Sequence, residues 1–181
     1  MPSHTDMKKS ILRLALGAVL AAQALALGFI ENLLPPIAFL PPGAKPGFSN
    51  IITMFAAGSI GLPTAVAITA IKALFAFVTR GFTAAVMSFS GGMLSTLAMY
   101  LLLRFCRQKL GLIGISVLCA LCHNAGQLAA AAFITGTASI ALYMPALALF
   151  GIVTGAVTGL VLNAVIPVME KQKKYFFKNI S

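Results

Sequence analysis

Long apolar runs separated by short basic clusters leave this chain one plausible solvent, lipid. The runs lie at about 12–34, 49–61, 63–79, 83–103, 110–134 and 141–168. A helix needs ~20 residues to cross a bilayer core, and most of the runs reach or approach that length. Only Asp6, Glu31 and Glu170 are acidic, and charged residues make up 9% of the 181, against about a quarter in a soluble domain. The expected fold is an all-α integral membrane bundle of six transmembrane helices. It forms a single membrane domain, 1–181, with a basic tail at 169–181.

Charge placement tests the helix count. The second and third runs are short and could form one helix broken at Gly61-Leu62-Pro63. With six spans and the N-terminus inside, Lys8, Lys9, Arg13, Arg104, Arg107, Lys109, Lys171, Lys173, Lys174 and Lys178 are all cytoplasmic, and only Lys45 and Arg80 are outside. Five spans divide the same residues eight to four at best. Basic residues concentrate on the cytoplasmic side of membrane proteins, so six is preferred and both termini are placed inside. Gly61-Leu62-Pro63 then becomes a tight turn. The formal charge of +10 suggests anionic lipid headgroups rather than nucleic acid, because the cations flank apolar runs.

Lys8, Lys9 and Arg13 before an apolar run also fit a signal peptide. The run is long for one, however, and it continues into Glu31-Asn32, which favours a retained first helix. The following segment, Pro35 to Gly47, holds too many prolines to be helical. It is apolar yet irregular, as expected of a loop packed over a cavity.

Cys119-Ala-Leu-Cys122-His123 matches the C-x-x-C-H pattern of haem attachment. It sits in the middle of an apolar run, whereas haem attachment needs an exposed segment. No metal or other cofactor is expected, and Cys106, Cys119 and Cys122 are read as small buried thiols.

The polar residues inside the runs are more informative. His123 and Gln127 share a helix face at i and i+4, with Asn124 adjacent. They either fix helix packing or line a ligand site, as polar residues within membranes do. Lys72 lies inside the third run, eight residues from Arg80. An ammonium at that depth costs ~2.5–3.5 kcal/mol on insertion scales, so it needs a partner, either Glu31 or the anionic group of a ligand. Ser88, Ser90, Gly91, Gly92 and Ser95 interrupt the fourth run, where small residues allow close helix approach and serines can bond backbone or ligand. Gly151-x3-Gly155-x3-Gly159 reads as helix packing. Ala18-x3-Ala22-x3-Ala26 makes a flat face suited either to internal packing or to docking another membrane subunit.

Several blocks resemble a known family. Glu31-Asn32-x2-Pro35-Pro36, then Pro42-Gly43-Ala44-Lys45-Pro46-Gly47-Phe48-Ser49-Asn50-Ile51-Ile52-Thr53, resemble a block of the bacterial family labelled heptaprenyl diphosphate synthase component I or Gx transporter. Ser90-Gly91-Gly92-Met93-Leu94-Ser95 and His123-Asn124-x2-Gln127 are similar to its later blocks. The resemblance extends over about residues 14–168. Pro46 and Phe48-Ser49 depart from the family pattern, and Lys72 stands where the family has Arg, which keeps the charge but loses a bidentate fork.

The architecture also resembles the substrate-binding subunits of energy-coupling-factor vitamin transporters of the bacterial cytoplasmic membrane. That resemblance implies a membrane coupling subunit, docked on Ala18, Ala22 and Ala26, and a pair of ATPases. No Gly-x4-Gly-Lys-Ser/Thr loop occurs here, so ATP would be used elsewhere. Prenyl chain elongation needs paired carboxylates holding Mg²⁺, and three scattered acids do not supply them, so no intrinsic catalysis is expected.

The expected role is substrate binding in an importer. An accessory part in polyprenyl diphosphate synthesis and stand-alone secondary transport are the alternatives. Glu31, Lys45, Asn50, Lys72, Arg80, Ser90, His123, Asn124 and Gln127 are the candidate ligand-binding residues, with Phe39, Phe48 and Phe89 as apolar walls. Such a set suits a small amphipathic anion, such as a vitamin, quinone precursor or flavin-like compound.

Overall fold

The computed structural model describes residues 4–33 and 47–178, with side chains described for 7, 8, 10–33 and 47–167. Lys45 and Phe39 lie outside the described residues. Among those described, the chain forms six α-helices: α1 (His4–Leu33), α2 (Asn50–Ser59), α3 (Leu62–Arg80), α4 (Phe82–Phe105), α5 (Arg107–Thr135) and α6 (Met144–Lys178). A 3₁₀ segment, Ala138–Tyr143, leads into α6. The basic tail continues α6 as helix to Lys178.

Five of these helices are long and apolar enough to cross a membrane. The expectation of six spanning helices is corrected at α2. Its 10 residues rise only about 15 Å, half of a bilayer core. α2 is short because Gly47, Phe48 and Ser49 form a turn rather than helix, held by the end of α1 as described below. The break at Gly61 is real: its φ of 134° is open to glycine but not to residues with a Cβ, and Pro63 stands in the first turn of α3, where a missing N–H costs nothing.

Glycines set how the long helices approach. A Cβ on Gly155 would lie 2.5 Å from Val117 Cα, and one on Gly159 would lie 2.6 Å from Ile113 Cα. The Gly151–Gly159 stripe therefore lets the α6 backbone touch α5. Gly126 on α5 and Gly91 on α4 do the same, with a Gly126 Cβ 2.9 Å from Gly91 Cα. Without water to drive helices together in lipid, close van der Waals contact of this kind holds a bundle.

These contacts also sort the helix ends. Gly17 meets Thr64, Gly58 meets Leu103, and Gly159 meets Ile113. The first half of α1, the α2–α3 turn, the α4–α5 junction and the second half of α6 thus share one end, the Lys109 end. Glu31, Asn50, Arg80 and the α5 C-terminus lie toward the other, the Arg80 end.

The core lies between α1, α2, α3, α4, α5 and α6 around Ala24, Phe55, Ala56, Ile68, Met99, Ile115 and Leu162. The outside is as apolar as the inside, with Phe133 88% and Val78 81% exposed, a surface that suits lipid. α1 is the least covered span: 17% of its most apolar window is buried, against 44% for α5.

Candidate functional site

Glu31 stands in the last turn of α1 and is only 5% exposed. Its carboxylate accepts hydrogen bonds from the Phe48 backbone N–H and from Ser49. Those donors open α2, and a carboxylate there satisfies N–H groups that helix geometry leaves without partners. Asn50, the first residue of α2, is buried and accepts from Lys72 Nζ at 2.6 Å. Lys72 is also near enough to Glu31 for their charges to interact. A chain of polar contacts thus joins α1, α2 and α3. Of the two partners expected for Lys72, Glu31 acts at longer range; the direct bond is to Asn50, which the sequence reading did not foresee.

These residues border a cavity at the Arg80 end. Its α3 wall is Lys72, Phe75, Ala76, Thr79 and Arg80. The spacing i, i+3, i+4, i+7, i+8 is one face of a helix, which brings Lys72 and Arg80 to the same space. α1 contributes Leu25, Gly28 and Glu31, the turn before α2 contributes Gly47 and Ser49, α4 contributes Ala84, Met87 and Ser88, and α5 contributes His123 and Gln127. The cavity itself holds about 50 Å³, and the empty space counted out through its open mouth is about 570 Å³, so a small ligand there would extend into the mouth.

His123 and Gln127 lie on the inward face of α5, their side-chain nitrogens 2.7 Å apart. Gln127 Oε1 has no hydrogen-bond partner among the described residues. His123 Nδ1 makes none of good geometry, with the Gly91 backbone beside it. Gly91 allows this arrangement, since a Cβ there would lie 2.7 Å from both Gln127 Cγ and His123 O.

The other expected residues are placed elsewhere. Asn124 turns toward α6, where its Nδ2 donates to the Leu147 carbonyl at 2.8 Å, and it borders a smaller cavity with Thr154 and Thr158. Ser90 is partly buried at the α4–α5 contact, its carbonyl oxygen close to Gly126. Phe89 is 43% exposed on the outer surface, and Phe48 is partly buried in the turn before α2. Neither phenylalanine lines the larger cavity; Phe75, Leu25 and Met87 do. Of the cysteines, Cys119 is fully buried with its Sγ 3.9 Å from Met99 Sδ, so it packs in the core.

On α1 the buried face runs through Leu20, Ala21, Ala24 and Glu31. Ala18, Ala22 and Ala26 lie on the opposite, exposed face beside Gln23.

The solved S component of a bacterial ECF transporter is similar in fold, with a TM-score of 0.70 at 20% identity, over 91% of this chain and 99% of the other. No match was found among curated proteins. The sequence of residues 20–165 matches the family described as heptaprenyl diphosphate synthase component I, so the chain belongs to that family and carries its sequence on an S-component-like membrane fold.

Proposed function

We propose that this chain is the substrate-binding membrane subunit of an energy-coupling-factor-type importer for a small amphipathic anion. The observation that carries the reading is the cavity at the Arg80 end, which Lys72 and Arg80 line together with apolar Leu25, Phe75 and Met87, within a fold like that of a transporter S component. Two cations against the one engaged carboxylate, Glu31, favour an anionic group on the ligand. The Lys109 end gathers the basic residues and is assigned to the cytoplasm, so the cavity opens outward. The exposed Ala18, Ala22 and Ala26 are assigned to a membrane coupling subunit, with ATP hydrolysis on separate ATPases and anionic lipid around the basic end. The test is reconstitution: uptake into liposomes should require a coupling subunit and ATP, and uptake by this chain alone under an ion gradient would replace the importer with a secondary transporter.

The family description favours a second reading, a non-catalytic accessory part in heptaprenyl diphosphate synthesis. A catalytic part is disfavoured by the placement of the acids. Asp6 and Glu31 stand on one helix, about 37 Å apart along its axis, and Glu170 is in the second half of α6, which turns toward the Lys109 end. Glu31, toward the Arg80 end, therefore has neither of the other two acids within reach of a shared ion. The accessory reading requires that deletion stop chain elongation in lysates given soluble substrates, a step that transport does not touch.

A further inference from the structure

Lys72 and Arg80 account for an anionic group, but they leave the facing wall of the cavity unexplained. Lys72 lies eight residues before the end of α3, and Gln127 eight before the end of α5, so each is about 12 Å deep along its helix. α4 packs against both of those helices, and Lys72 is near enough to His123 for its charge to act there, so the two walls border one space. On the α5 wall, His123 and Gln127 are 6% and 7% exposed, and both border the cavity.

Their mutual contact uses only part of their hydrogen-bonding capacity. If the amide NH₂ of Gln127 donates to His123 Nε2, Gln127 Oε1 is left over, and it has no partner among the described residues. The oxygen left over belongs to a residue nine-tenths buried in a membrane protein, where polar groups are nearly always satisfied. The pair is also held in place, because the α4 backbone at Gly91 presses against it without room for a methyl group. Packing alone would not require a fixed, half-satisfied polar pair at a cavity wall.

We propose that the His123–Gln127 wall reads a second polar group on the ligand, a hydroxyl, amide or imide carried on an apolar body opposite its anion. This rests on the reading of the cavity as a ligand site. The cavity then recognises its ligand at two points, with Phe75, Met87 and Leu25 as apolar lining. A prenyl diphosphate presents only hydrocarbon at the end away from its charge. It would bury the Gln127 amide with nothing to bond, so this wall selects against it.

Matched probes test the idea on wild-type protein in nanodiscs, with no coupling subunit present. Benzoate is compared with 4-hydroxybenzoate, and 2-naphthoate with 6-hydroxy-2-naphthoate, by calorimetric titration. The expected result is that the hydroxylated member of at least one pair binds about fivefold or more tightly, as one net hydrogen bond gives. Gln127→Met, similar in volume, should abolish that difference within each pair. Equal binding within both pairs overturns the proposal, as does tighter binding of farnesyl diphosphate than of every aromatic acid. Failure here with ATP-dependent uptake intact leaves the importer standing. Discrimination here without such uptake keeps the two-point site and removes the importer.

Discussion

Lys72 Nζ donates a 2.6 Å hydrogen bond to Asn50 Oδ1, tying the interior of α3 to the first residue of α2. The contact keeps one donor of a costly intramembrane ammonium engaged and leaves its charge at the cavity wall. Lys72→Met should therefore weaken binding of the co-purifying ligand by more than tenfold, since hydrogen bonds to charged groups contribute ~1.5–3 kcal/mol. Native mass spectrometry of wild type and variant from the same membranes measures this, and equal occupancy would make Lys72 a purely structural residue.

Glu31 joins α1 to the turn before α2 through the Phe48 N–H and Ser49. Glu31→Gln keeps the shape but replaces a charged acceptor with a neutral one. The expected loss is about 1–2 kcal/mol, read as a lower thermal midpoint in detergent. An unchanged midpoint would mean that this latch contributes nothing to stability.

Gly155→Ala places a methyl group 2.5 Å from Val117 Cα, whereas a Cβ on Gly114 meets nothing nearer than 3.4 Å. Gly155→Ala should lower stability by about 1–3 kcal/mol through overpacking, and Gly114→Ala should be neutral or slightly stabilising through helix propensity. Thermal unfolding of the two variants side by side checks the contrast.

Leu at Ala18, Ala22 and Ala26 together should reduce co-purification with a coupling subunit severalfold and leave the thermal midpoint of the isolated chain unchanged, because all three are exposed. A fall in that midpoint would show that the stripe supports this chain's own fold.

Cys106 lies at the α4–α5 junction, at the Lys109 end, and Thr137 lies just after α5 at the other. With Cys119 and Cys122 changed to Ala, an impermeant thiol reagent added to intact cells should miss Cys106. In a chain whose three native cysteines are replaced by Ala, it should label Thr137→Cys. The reverse pattern would invert the orientation proposed for the whole bundle.

The order of helices was legible in the sequence, because lipid forces backbone polar groups to pair within each segment and so ties a span to the length of its apolar run. Gly61-Leu62-Pro63 and the Gly151–Gly159 stripe were legible for the same kind of reason, since each depends on local backbone sterics or on residue size. Two things were not: that Glu31 would hold the turn before α2, and how each helix is rotated about its axis. Glu31 reaches the Phe48 N–H from 17 residues away, a contact that no local pattern announces. Apolar runs meant for lipid carry little amphipathic signal, so Phe89, Asn124 and the Ala18 stripe could each have faced several ways. The tertiary structure decided among them through backbone contacts at Gly91, Gly126 and Gly151. These set the rotation of α4, α5 and α6, sending Asn124 to the Leu147 carbonyl and Phe89 outward, and leaving His123 and Gln127 facing Lys72.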